Sequence, residues 1–136
     1  MSSGKEISYP NNVKYAASHE WVRVEGDTAF VGISDYAQDA LGDIVFVELP
    51  EPGVEKSAGD AFGVVESVKA ASDVFMPVGG AIAATNDALK DAPETVNSDA
   101  FGAGWMLKVF PFNAADLDKL MDAATYKSKI EAGEIH

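Results

Sequence analysis

Lys69 is the side chain in this sequence best set for covalent chemistry. It lies in residues 63–74, GVVESVKAASDV, which read as two short β-branched runs, 61–66 and 72–76. The runs fold back on each other with Val68, Lys69 and Ala70 at the tip. The small residues Ala70 and Ala71 follow the lysine and Glu66 precedes it by three, so a primary amine projects from an uncluttered, mildly acidic tip. A modifying enzyme can grip such an amine; the plainer alternative is a solvated surface charge, the usual fate of lysine. The tip lacks the Asn-Gly or Gly-Gly pair that favours a two-residue hairpin turn, which leaves the turn type open.

Other chemistries find little support. His19 and Glu20 are adjacent types suited to proton transfer, but in a strand successive side chains point to opposite faces. The only histidines are His19 and the terminal His136, so no Ser-His-Asp arrangement can be assembled, and carboxylates around one interior histidine have no metal-ligand spacing. Gly102-Ala103-Gly104-Trp105 lacks the third glycine and the following helix of a dinucleotide loop. There are no cysteines, so no disulfide, thiol nucleophile or thiolate metal site is available, and any redox sulfur has to be imported. The expected protein is not an enzyme.

A chain of 136 residues fits one domain. Ten basic against 22 acidic side chains give a net charge of −12, which argues against nucleic acid and anionic membrane surfaces and suits docking on basic patches of other proteins. Residues 1–13 are polar, with no apolar signal core and no arginine-rich amphipathic pattern, and are expected to be flexible. The longest charge-free stretch, 74–86, is interrupted by Pro77, Gly79 and Gly80 and is too short to span a bilayer. A cytoplasmic protein of bacterial type is expected.

The elements that must carry Lys69 are short strands. Residues 18–25 and 28–33 flank a Gly26-Asp27 turn as a second hairpin, and Ser34 is a plausible N-cap for a short helix over 35–41 stopped by Gly42. Residues 43–49 read as a strand ended by Pro50, and 81–85 as another, each flanking the lysine hairpin at a similar distance. Residues 86–93 read as a loop or helical turn and 94–104 as irregular. Residues 105–110 read as a strand terminated by Pro111. Asn113 can cap a helix with Leu117, Leu120 and Met121 at helical spacing, and a second helical stretch covers 124–131. Trp21 and Trp105 are expected to fill the core, and Lys108 to face outward. The whole is expected to be all-β, with a short internal helix and C-terminal helices.

Glu66-Ser67-Val68-Lys69-Ala70 followed by Ser72-Asp73 resembles the lipoyl-attachment segment of the glycine cleavage system H protein family, and Gly59-Asp60 resembles the turn of biotinyl and lipoyl domains. Residues 18–23 resemble the family's opening motif, 32–38 and 41–50 its next block, 62–70 the modification site and 104–108 a late strand. The resemblance implies a lipoyl/biotinyl-like barrel-sandwich hybrid. It divides the chain into a flexible 1–13, a lipoyl-carrier domain 14–126 and a tail 127–136. Ala40, Met76, Gly79 and Ala81 depart from the residues common in relatives, and Ala40 puts the shape of the family's cleft in question.

The same resemblance implies that Lys69 carries lipoic acid, with Gly63, Glu66, Ser67 and Ala70 read by a lipoyl/octanoyl transferase or lipoate ligase. The lipoyl disulfide would accept the aminomethyl group of glycine from a pyridoxal-phosphate decarboxylase (P protein) and deliver it to a tetrahydrofolate-dependent aminomethyltransferase (T protein). A dihydrolipoamide dehydrogenase (L protein) would restore the disulfide. Ser18, Glu20 and Asp73 are carried over as cleft residues that shelter the loaded arm, Glu20 by a charge-assisted hydrogen bond to its ammonium. A lipoyl-relay protein that donates lipoyl groups to other apoproteins would have the same residues, whereas an unmodified acidic binding module would not need Lys69. Biotinyl domains usually place methionine on both sides of the lysine, where Val68 and Ala70 stand here.

Overall fold

The computed structural model describes residues 6–135; residues 1–5 of the expected flexible start, and His136, lie outside the described residues. In chain order the elements are β1 (Lys14–Tyr15), β2 (Glu20–Glu25), β3 (Thr28–Ile33), α1 (Asp35–Leu41), β4 (Ile44–Glu48), β5 (Glu55–Lys56), β6 (Ala61–Ser67) and β7 (Ala71–Phe75). They continue with β8 (Gly80–Thr85), α2 (Ala88–Asp91), α3 (Thr95–Ser98), β9 (Leu107–Phe112), a 3-10 helix (Ala114–Lys119) and α4 (Ala123–Glu131). Strands β1-β2-β3-β9-β8-β5 form a six-stranded sheet and β4-β6-β7 a three-stranded one. Both are antiparallel. The two sheets remain open and share one core, the expected barrel-sandwich hybrid: Val22, Val31, Leu107 and Val109 from the large sheet meet Ile44, Val47, Val65 and Val74 from the small one.

β2 is buried on both faces. Period-2 alternation sends Val22 into the shared core and Trp21 into a second cluster with Val13, Tyr15, Ala123 and Tyr126. Trp21 fits because its cross-strand partner is Gly32, where any Cβ would sit 2.7 Å from the indole. Tyr15 and Tyr126 stack in this second core with centroids 4.3 Å apart. Tyr9 meets Tyr126 edge-on, and Pro10 O accepts from the Tyr15 hydroxyl, so the described part of the expected flexible start packs against α4. Helix α4 crosses the expected boundary after residue 126.

Three sequence expectations need correction. Residues 94–104 are not irregular throughout: Thr95–Ser98 is one helical turn, held by the fully buried Val96 and by Asn97. β9 does not stop at Pro111 but runs to Phe112, because a register shift between Gly80/Phe112 and Ile82/Val109 spans the residue that has no N–H to donate. Asn113 caps as expected, through Ala115 N, but the helix is 3-10 and ends at Lys119. Met121 leaves it to exchange two backbone hydrogen bonds with Tyr15, each 2.8 Å. Strand-like pairing there outweighs the helical spacing of Leu117, Leu120 and Met121. As expected, Trp21 is fully buried; Trp105 is only partly so, and Lys108 lies against the Phe30 and Trp105 rings.

Candidate functional site

β6 and β7 form the lysine hairpin, with Glu66 opposite Ala71. Ser67 replaces the missing turn glycine: its N–H donates to Ala70 O at 2.7 Å, and its hydroxyl accepts from Ala70 N at 3.1 Å and Lys69 N at 3.3 Å. The side chain thus satisfies amides that a primed turn would pair through the backbone. No residue of this tip has a positive φ. Val68, Lys69 and Ala70 are exposed, as the strand pattern predicts.

The tip is fastened to the two residues that link α1 to β4. Val68 N donates to Asp43 O at 3.1 Å, and Lys69 Cε passes 3.8 Å from the position of a Cβ on Gly42. Gly42, at φ 83°, closes the helix by donating to Gln38 O, while Ser34 opens it by accepting from Ala37 N. Asn97 on α3 locks the junction: its Nδ2 donates to Gln38 Oε1 at 2.8 Å and Gly42 O at 2.9 Å, and its Oδ1 accepts from Ile44 N at 2.9 Å. Sequence reasoning missed Asn97, and only its type, an amide that donates and accepts at once, hinted at such a clamp.

A cleft of about 170 Å³ lies along α1. Tyr36, Ala37, Ala40 and Leu41 form one wall, Ser72, Asp73 and Val74 of β7 the other, with Ser18, His19, Glu20 and Ile33 between them. Ser18, Glu20 and Asp73, read from separate stretches of sequence, therefore line one site. His19 lines it too, against the argument from strand alternation, because it precedes β2 in a left-handed conformation (φ 81°). Ala40 is on the wall, so its small side chain widens the cleft there.

Glu20 is 1% exposed. Ser18 Oγ donates to its Oε1 and Phe75 N to its Oε2, the latter at 3.0 Å. Burial dominates these bonds and pushes the carboxyl up to about 7. Glu20 is thus poised to hold or shed a proton near neutrality.

Gly63 and Glu66 divide by role. A Cβ on Gly63 would collide with the Glu48 carbonyl oxygen, so its glycine permits β4 and β6 to approach. Glu66 is exposed beside Phe46 in the strand ladder. A register shift between Ile44 and Phe46 leaves Val45 and Phe46 both exposed, on the edge strand that starts just after Asp43, to whose carbonyl oxygen Val68 N donates. Exposed Asp43, Glu48 and Glu66 border this apolar edge. Among the described residues no group of three or more metal-ligand types is assembled, and no helix is long and apolar enough to cross a membrane.

An open two-sheet hybrid that presents a lysine on a hairpin tip, beside a cleft, places the chain in the fold class shared by lipoyl and biotinyl domains. Residues 13–133 match the family described as Glycine cleavage H-protein. The chain is 53% identical over 126 residues to the glycine cleavage system H protein of Bacteroides fragilis, covering 93% of this chain and 100% of that one. It is 57% identical over 122 residues to that of Marinomonas sp., covering 89% and 96%. A crystal structure of a glycine cleavage system H protein from Mycobacterium marinum superposes with a TM-score of 0.80 at 39% identity, over 90% of this chain and 98% of that one. This chain belongs to the glycine cleavage H-protein family.

Proposed function

We propose that the chain is the lipoyl carrier of a glycine cleavage system, non-catalytic itself, with lipoic acid joined as an amide to Lys69 Nζ. When attached, the lipoyl group supplies the redox-active sulfur that a chain without cysteine lacks and carries the aminomethyl group of glycine from the P protein to the T protein. The observation that supports this reading best is the stem of an exposed lysine passing over Gly42, next to a cleft with a buried carboxyl. The cleft fits an amine-bearing arm chemically: Leu41, Ile33 and Val74 offer apolar contact, and Glu20, Ser18 and Asp73 offer acceptors to an ammonium. An ammonium beside Glu20 favours its ionised form, so arrival of the cargo draws the proton off the carboxyl.

Tethering raises the effective concentration of the cargo at each successive active site. The partners, P, T and L proteins and the lipoyl/octanoyl transferase or lipoate ligase, have to reach Lys69, and the edge bearing Val45, Phe46 and Val68 suits an apolar pocket with a basic rim. The acidic border and the net charge of −12 favour such partners electrostatically.

The test is an intact mass with peptide mapping after expression in lipoate-supplied cells with a lipoate ligase. One lipoyl increment on Lys69 alone is expected. A folded chain left unacylated, beside a control domain that is modified, would replace this reading with an unmodified binding module.

A further inference from the structure

We propose that the Tyr126 hydroxyl, on the C-terminal helix α4, is a positioning group that holds the α1 wall of the cleft to the His19 segment between the walls and thereby sets how well the arm is shielded. Tyr126 does not line the cleft. It is fully buried, and stacking on Tyr15, 5° from parallel, fixes its ring. Its hydroxyl lies 2.8 Å from His19 Nδ1 and 2.7 Å from Ser34 Oγ. Both of these residues govern the cleft. Ser34 caps α1, whose Tyr36, Ala37, Ala40 and Leu41 form a wall, and His19 lines the cleft itself beside Glu20.

The arrangement is braced at a strained point. His19 is the only non-glycine residue with positive φ among the described residues, and such a backbone persists where its surroundings over-determine it. The bracing is visible: His19 N donates to Ala16 O and His19 O accepts from Ser34 N, each at 2.9 Å, while the ring tilts against Tyr36 at 5.0 Å. The Tyr126 hydroxyl joins the same two residues a second time, through their side chains. A tyrosine hydroxyl carries its proton at neutral pH, and burial raises its pKa further, so it donates to one of these two partners and can accept from the other. Loss of that hydroxyl leaves the Ser34 N to His19 O bond as the remaining tie, so His19 and the first turn of α1 hold each other less firmly, and Glu20 follows His19. A helix that lends no residue to the cleft lining thus governs how its α1 wall seats against His19.

The functional consequence rests on the carrier reading; the positioning itself does not. Tyr126→Phe keeps the ring and its stacking. In the unlipoylated full chain, histidine-ring nitrogen NMR is expected to show a shifted His19 Nδ1 resonance, and hydrogen exchange a roughly ten-fold faster Ala37 amide, with Val65 unchanged. In the lipoylated chain, Lys69 acylation stays complete and the aminomethyl group is lost about ten-fold faster than from wild type.

An unchanged His19 resonance and Ala37 amide in folded Tyr126→Phe overturns the proposal whatever the arm does. Equal loss from variant and wild type, with both slower than from free aminomethyl-dihydrolipoamide, overturns it while leaving the carrier reading intact. Wild-type loss as fast as from the free compound refutes the sheltering cleft instead, and the NMR result then decides the positioning alone. Should Tyr126→Phe not fold, His19→Gly removes the ring and its bond to Tyr126 while relieving the left-handed backbone, and faster loss from the folded chain is expected. Unchanged loss from His19→Gly overturns the proposal.

Discussion

Asn97 Nδ2 donates to the Gly42 carbonyl oxygen at 2.9 Å, so a residue on α3 fastens the end of α1 under the Lys69 stem. Asn97→Ala removes that bond and those to Gln38 and Ile44. Leaving such partners unsatisfied is expected to cost about 1–3 kcal/mol, measured as a lower urea midpoint at unchanged slope. Stability equal to wild type would show that water replaces the clamp.

Lys69→Arg keeps the positive charge on an exposed tip whose turn is held by Ser67 rather than by the lysine. Its guanidinium stays protonated and is no acyl acceptor. The expected result is a wild-type melting temperature, no lipoyl mass increment, and no glycine cleavage in a reconstituted system. Retained cleavage would remove Lys69 from the mechanism.

Glu20 carries a pH signature. Its carboxyl sits at about 7 in the fold against an ordinary 4.5, so between those values the folded chain binds the extra proton. Stability from this group is therefore complete below about pH 4.5 and lost as pH rises through 7. Its full range is on the order of 3 kcal/mol. Glu20→Gln keeps an acceptor for Phe75 N and gains a donor toward Ser18, so its stability should be flatter from pH 5 to 8 and exceed wild type at pH 8. Chemical denaturation across that range checks it; parallel profiles would mean Glu20 ionises normally. Asp122, held low by the Thr125 amide at an exposed N-cap, acts only at lower pH.

Phe46 is 46% exposed on the bulged edge of the small sheet, so Phe46→Ala should leave the fold intact. If partner enzymes dock there, the half-saturating carrier concentration for the P protein should rise about five- to ten-fold, as for an aromatic interface anchor. Lipoylated Phe46→Ala with unaltered saturation would move the docking surface elsewhere.

Much of this protein is written in short-range chemistry. The strands around Gly26-Asp27, the Ser34 cap, the Gly42 stop and the lysine hairpin depend on residues a few positions apart, and β-branched alternation and capping side chains specify them locally. Even the turn at Lys69 is local, although the hydroxyl of Ser67, not a glycine, makes it. Tertiary structure decided the rest. Glu20 Oε2 reaches Phe75 N, Asn97 reaches Gly42, and Tyr126 reaches both His19 and Ser34; these are contacts between distant segments with no periodicity to announce them. The same is true of the left-handed His19, which puts two adjacent side chains on one cleft, and of Met121, drawn from a helical spacing into a bridge with Tyr15. In each case local propensity is worth less than the burial and hydrogen bonding gained when the sheets and α4 close, so the chain's own neighbours along the sequence could not foretell it.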